Sequence, residues 1–226
     1  MGGCEPTGVG TAKRARILLA DDYALTLEGM RSVLSLDYDV VGVVSDGRSL
    51  VHAALRLNPD VIILDISLRR LNGIDAAHEI KKSLPNTKLL FVTMHDNPRH
   101  LRNALAAGAS GYVLKKSALE ELPIAVKEVT GGKTYVTPGF GQGIVEQHQR
   151  WPRSATAPHL VLTKRQREVL QLVAEGRTAK EIAGLLRVTV QTVAFHKYQI
   201  MNKLGLRTTA QLTKYAIQEG LIEIGR

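Results

Sequence analysis

From Arg16 to about Thr130, short β-branched runs alternate with stretches whose apolar residues recur at helical spacing. Ile17–Ala20, Val40–Val44, Val61–Leu64, Leu89–Thr93 and Gly111–Leu114 predict strands. Between them, about Ala24–Leu36, Arg48–Leu57, Ile74–Ser83, Arg99–Ala107 and Glu120–Thr130 predict helices. Ile62, Ile63 and Leu64 are apolar without a break, as in a strand covered on both faces. Asp46 and Asn97 stand where helix N-caps belong. Asn58-Pro59 and Leu84-Pro85-Asn86 end the helices before the third and fourth strands. Five βα units in series predict a doubly wound parallel sheet.

The pattern breaks between Gly131 and His159. Gly131-Gly132, Pro138-Gly139, Gly141, Gly143, Trp151-Pro152 and Pro158 predict an interdomain linker. Gly139-Phe140-Gly141-Gln142-Gly143 lacks the strand and helix that flank a phosphate-binding loop. From Leu162 on there is no strand signal. About Lys164–Glu175, Ala179–Leu186, Val190–Leu204 and Thr209–Glu219 predict four helices. Thr163 and Gln166 have capping-box spacing, and Gly176, Gly205 and Gly220 follow helices. The predicted organisation is a lead-in at 1–14, an α/β domain at 15–131, a linker at 132–160 and an all-α domain at 161–226.

A chain of 226 residues with 44% hydrophobic content fits two globular domains. No run is long and apolar enough for a membrane span, and residues 1–11 lack the apolar core of a signal peptide. The single cysteine, Cys4, cannot form an internal disulfide, which fits a cytoplasmic location. The net charge of +9 is uneven. Residues 1–130 hold 16 Lys/Arg against 15 Asp/Glu, whereas residues 161–226 hold 11 against 5. A near-neutral first domain joined to a basic second one points to a polyanionic partner for the second.

Asp21 and Asp22 follow the first predicted strand, and Asp65 ends the third. In a sheet ordered 2-1-3-4-5 these strands are neighbours, and the crevice at their carboxyl ends is the topological switch point. Three converging carboxylates repel one another and need a cation, and an oxygen-only donor set favours Mg²⁺. Thr93 ends the fourth strand with a hydroxyl, and Lys115 follows the fifth with a fixed positive charge. This constellation suits phosphoryl transfer to a carboxylate, with Asp65 as nucleophile.

The stretches Leu18-Leu19-Ala20-Asp21-Asp22, Leu64-Asp65-Ile66-Ser67, Leu71-Asn72-Gly73, Val92-Thr93-Met94-His95 and Gly111-Tyr112-Val113-Leu114-Lys115 resemble the receiver domain of bacterial two-component response regulators. The resemblance implies a flavodoxin-like fold with Asp65 as phosphoacceptor. It assigns Mg²⁺ to Asp21, Asp22, Asp65 and the backbone carbonyl of Ser67. It makes Thr93 and Tyr112 a switch pair, with an ordinary half-buried strand aromatic as the competing reading of Tyr112, and Lys115 a phosphoryl-stabilising group. Two positions depart from the pattern: Arg69, followed by Arg70, replaces a common proline, and Lys116 replaces a common acid.

In the second domain, Ala179–Leu186, the turn Arg187-Val188-Thr189 and Val190–Leu204 have helix-turn-helix proportions. Val193, Ile200 and Leu204 share one face of the longer helix and should pack inward. The opposite face carries Gln191, Phe195, Tyr198 and Asn202, with Ala194 beside it. Rings and amides there fit a DNA groove, where a ring can touch thymine methyls; burial of Phe195 against a neighbouring element is the competing reading. Leu162-Thr163-Lys164-Arg165-Gln166-Arg167-Glu168-Val169-Leu170, Lys180-Glu181-Ile182-Ala183, Thr192-Val193, His196 and Lys203-Leu204-Gly205 resemble the LuxR-type helix-turn-helix of NarL/FixJ response regulators. That resemblance implies phosphate contacts by Lys180, Thr192 and His196 or Lys197, with Ala194, Phe195 and Tyr198 facing the groove. His196 equally fits a structural histidine. Leu212, Tyr215 and Ala216 would form a dimerisation face on the last helix, and Glu168 would anchor charge pairs within the domain.

Together the two resemblances imply a non-enzymatic transcription regulator. A cognate histidine kinase would phosphorylate Asp65, and a homodimer would bind double-stranded DNA and could meet RNA polymerase. Phosphorylation would either unmask the DNA-binding helix or promote dimerisation. An aspartyl phosphohydrolase would carry a second acid two residues after the nucleophile, where this chain has Ser67.

Overall fold

A computed structural model of the chain describes residues 14–141, 143–144 and 162–222. Cys4 and Trp151, and most of the expected lead-in and linker, lie outside the described residues.

The first domain is a parallel sheet in the order β2-β1-β3-β4-β5-β6, wound with five helices. In chain order the elements are β1 (Arg16–Ala20), α1 (Ala24–Leu34), β2 (Asp39–Val44), α2 (Gly47–Leu57), β3 (Val61–Leu64), α3 (Gly73–Ser83), β4 (Lys88–Thr93), α4 (Pro98–Ala106), β5 (Gly111–Leu114), α5 (Ala118–Thr130) and β6 (Tyr135–Val136). The expected order 2-1-3-4-5 stands, with one strand added. Residues 135–136, read from the sequence as linker, pair with Gly111 and Tyr112 along the outer edge of β5. Tyr135 and Thr137 hold this strand by donating hydrogen bonds to Glu121 Oε2 on α5, at 3.0 and 2.8 Å.

Apolar side chains above and below the sheet form two cores. Leu27, Met30 and Leu34 of α1 and Leu122, Val126 and Val129 of α5 cover one face. Leu50 of α2, Ala77 and Ile80 of α3, and Leu101 and Leu105 of α4 cover the other. Between them Ile62, Ile63 and Leu64 are fully buried, as their unbroken apolar run predicts. The Asp46 carboxylate accepts N–H bonds from Arg48 and Ser49, and Asn97 accepts one from Arg99, so both predicted N-caps form.

The second domain contains α6 (Lys164–Ala174), α7 (Ala179–Leu186), α8 (Val190–Leu204) and α9 (Thr209–Gln218). Thr163, Thr178 and Thr208 each close a capping box onto Gln166, Glu181 and Gln211. Val169, Leu170, Ile182, Val193, Ile200, Leu212 and Ala216 make its core.

Candidate functional site

Asp21 and Asp65 follow the last residues of β1 and β3, which are hydrogen-bonded neighbours, so the two loops leave the sheet side by side. Ligand oxygens of Asp21, Asp22 and Asp65 lie within 4.8 Å of one another. Asp21 and Asp65 are buried and Asp22 half-buried. Neither Asp21 nor Asp22 caps α1, whose N-cap is Tyr23 with no side-chain cap bond. Lys115, just beyond β5, spans the gap with its Nζ 2.7 Å from Asp21 Oδ2 and 2.8 Å from Asp65 Oδ2. The second oxygen of Asp65 accepts the Ile66 N–H at 2.6 Å.

These charges govern one another. Burial raises the Asp21 carboxyl above its ordinary range; the neighbouring Lys115 opposes that rise and Asp65 reinforces it. Burial pulls the Lys115 ammonium down, but Asp65 and Asp21 outweigh it and leave the group more firmly protonated than a free lysine. A set of hard carboxylate oxygens this close, with burial already taxing one of them, can hold a divalent cation.

The loop after β3 turns back over the site. A Cβ at Gly73 would lie 2.0 Å from the Asp65 carbonyl oxygen, so only glycine lets α3 start there. Ser67 is buried in this loop, with its hydroxyl 2.8 Å from His95 Nε2. Thr93 is fully buried at the end of β4, with its hydroxyl accepting the His95 N–H at 3.3 Å. The Tyr112 ring is also fully buried, stacked 5.7 Å from Phe140, and its hydroxyl donates to the His95 carbonyl at 2.7 Å. Tyr112 is thus turned inward, and burial, with the charges of Asp65 and Asp96, pushes its phenol well above the ordinary tyrosine range. Of the two departures, Arg69 approaches the acidic cluster, with Nε 3.2 Å from Asp22 Oδ2, whereas Lys116 is exposed.

In the second domain Lys180, Ala194, Phe195 and Tyr198 are exposed, while Thr192, His196 and Lys197 are half-exposed. Phe195 is 57% and Tyr198 64% exposed, so the competing expectation that Phe195 is buried does not hold. The Thr192 hydroxyl pairs with that of Thr189 at 2.9 Å, and Lys197 donates to the Thr209 hydroxyl at 2.9 Å. Leu212 and Ala216 do not form a free dimerisation face. Both are fully buried in the domain's own core, where α9 packs on α6, and only Tyr215 of the three is partly exposed. The apolar stripe read as intermolecular is intramolecular.

The contact between the domains was not anticipated from the sequence. Gln171 of α6, 1% exposed, donates from Nε2 to the Leu68 carbonyl at 2.8 Å and accepts the Asn72 N–H at 2.9 Å. Glu175 Oε1 accepts the N–H of Arg70, a non-glycine residue held at φ 66°. Arg167 Nε lies 3.1 and 3.0 Å from the two oxygens of Asp75, the first acid of α3, with its terminal nitrogen also on that carboxylate. Glu168 does pair within its domain, with Arg165 at 2.9 Å, but it also accepts from Arg48 of α2 at 2.7 Å. At the far end of the contact Arg99 of α4 pairs with Glu219, and Gly220 lies against the His100 ring. Buried polar residues on α6 (Glu168 and Gln171) were the available signal, but side chains of that type equally suit a solvated helix face.

Residues 17–127 match the response regulator receiver domain family, and residues 160–216 match the luxR family of bacterial regulatory proteins. The chain is 38% identical over 216 residues to an oxygen regulatory protein NreC of Staphylococcus epidermidis, covering 92% of this chain and 99% of the relative. A Staphylococcus aureus NreC is 36% identical over 215 residues, with the same coverage. Among solved structures, the Salmonella typhimurium RcsB response regulator aligns over 90% of this chain and 97% of its own, with 28% identity and a TM-score of 0.61. A response regulator RcsB–DNA complex aligns over 90% and 98%, with 29% identity and a TM-score of 0.54.

Proposed function

The chain belongs to the NarL/FixJ-type response regulators, DNA-binding transcription regulators with a receiver domain and a luxR-type helix-turn-helix, and on that premise we propose that phosphorylation of Asp65 controls where and how tightly it binds DNA. The observation that carries this reading is the buried carboxylate of Asp65, with Lys115 at 2.8 Å and two further acids beside it, opening on the loop that holds the second domain.

Asp65 supplies the attacking oxygen, and a histidine kinase supplies the phosphoryl group. Lys115, already protonated and aimed at Asp65, neutralises one incoming phosphoryl oxygen, and the Thr93 hydroxyl, at the end of the strand next to β3, would hydrogen-bond another. The residues that would hold Mg²⁺ are Asp21, Asp22, Asp65 and the Ser67 carbonyl; when bound, the ion supplies charge neutralisation for phosphoryl transfer. Movement of Thr93 toward the phosphoryl group would disturb the His95 N–H that it accepts, and with it the carbonyl that holds Tyr112.

Of the two expected modes of control, the geometry favours the second. The outward face of α8 is open, so the receiver does not mask the DNA-binding helix. The receiver instead grips α6 and the end of α9. Releasing that grip frees the second domain to pair with another copy on two half-sites of DNA. A kinase partner and chromosomal DNA put the reaction in the cytoplasm; among the described residues no helix is long and apolar enough to cross a membrane. The test is to treat the full chain with acetyl phosphate and Mg²⁺, then measure mass and DNA affinity. One added phosphoryl group with tighter DNA binding, both absent in Asp65→Asn, is expected. An unmodified wild-type chain, or one whose label survives the substitution, would refute the assignment.

A further inference from the structure

The outward face of α8 has an unusual chemistry for a surface that meets DNA. Its exposed residues are Gln191, Ala194, Phe195, Tyr198 and Asn202, and none is cationic. Lys197 lies to the side, tied to Thr209 on the next helix. Apart from Tyr23, Phe195 and Tyr198 are the only exposed Phe, Tyr or Trp side chains among the described residues, and they sit three positions apart on one helix. Cations are not scarce in the domain but lie off this face: Lys180 at the start of α7, Arg187 in the turn and Arg207 before α9 are all exposed.

The major groove presents guanine as two acceptors, O6 and N7, which are read chiefly by Arg or Lys. It presents thymine as a methyl group beside one acceptor, and adenine as an acceptor beside a donor, a pair that Asn or Gln matches. A face with two rings, a methyl and two amides, and no cation, has no good partner for guanine and has partners for both members of an A·T pair. The peripheral cations would then contact phosphates, which position the helix without reading sequence.

We propose that α8 reads A·T base pairs through thymine methyl groups, with Phe195 and Tyr198 as the specificity-determining side chains and Gln191 and Asn202 facing adenine. This rests on the reading above that the second domain binds duplex DNA through α8. The occupant is a duplex, not a second copy of the chain, because the same helix-turn-helix exposes cations outside the aromatic pair and a solved relative is a DNA complex.

The test uses the full chain with acetyl phosphate and Mg²⁺, first to select sites from a randomised duplex library. Each thymine in the selected half-site is then replaced by deoxyuridine, which removes only the methyl. Sites centred on A·T are expected, with about fourfold weaker binding per contacted methyl removed. Phe195→Ala and Tyr198→Ala should lose the thymine-over-uracil preference, yet keep their melting temperature and their salt-dependent binding to unrelated duplex. Guanine-centred sites that ignore uracil would overturn the proposal while leaving DNA binding intact. So would variants that bind the selected site normally but shift from dimer to monomer, since the aromatic pair would then be a protein interface. A chain that binds no duplex even at low salt would overturn the DNA-binding reading itself.

Discussion

Replacing Gln171 with Leu tests the contact between the domains at its most buried polar group. The change is close to isosteric, but it deletes the donor to the Leu68 carbonyl and the acceptor of the Asn72 N–H. Both backbone groups belong to the loop just after Asp65, and with the domains docked neither can recover a water. Each group left unpaired costs about 1–3 kcal/mol. Burying the leucine side chain in their place returns roughly 1.5–3 kcal/mol. The net loss is about 2 kcal/mol, or about a thirtyfold shift toward the undocked form. The second domain's own fold should suffer little, because the one bond Gln171 makes within it, to the part-buried Glu175 Oε1 at 2.9 Å, is one that water replaces once the domains part. The expected outcome for the unphosphorylated variant is a larger radius of gyration by small-angle X-ray scattering and DNA affinity closer to that of the phosphorylated wild type, with unchanged thermal unfolding of the second domain. Scattering and DNA affinity identical to wild type would show that these hydrogen bonds do not hold the domains together, and the release mechanism would fail.

Asp65→Asn should abolish labelling by acetyl phosphate while leaving the melting temperature within a few degrees of wild type, which mass spectrometry and calorimetry check together. Arg69→Ala removes a largely exposed cation 3.2 Å from Asp22 and should tighten Mg²⁺ binding by about two- to fivefold, read by titration calorimetry; weaker binding would contradict the pairing. His100, packed between His95, Arg99 with its partner Glu219, and Gly220, is lowered from 6.5 to about 4 by burial, with the charges of His95 and Arg99 adding to it. The docked form therefore favours the neutral ring, and an exposed ring takes up a proton first. Docking should be fully present above pH 6.5 and weaken as the pH falls toward 4, a loss that His100→Asn should blunt when scattering is followed against pH.

Much of this molecule is written locally. Unbroken apolar runs mark β1, β3, β4 and β5, because a strand covered on both faces must be apolar throughout. The acidic cluster follows from those strands, since the connection rules of a parallel sheet bring the ends of β1 and β3 together whatever the intervening sequence. The helix caps and the turn of the helix-turn-helix are likewise carried by residues within four positions of one another.

Other features have no local signature. Tyr135–Val136 becomes a strand only because β5 offers an open edge and Glu121 waits to accept two hydroxyls; in the chain it is two residues among glycines and prolines. The stripe of Leu212 and Ala216 shows that one face of α9 is covered, but an apolar stripe cannot say whether a neighbour in the same chain or a second copy covers it. Gln171 meets backbone groups about one hundred residues away, and backbone groups are the same in every sequence. Periodicity therefore fixes which residues turn inward, whereas the partners they find across domains, and the coupling those partners create, are determined only when the tertiary structure brings distant backbone and side chains into hydrogen-bonding reach.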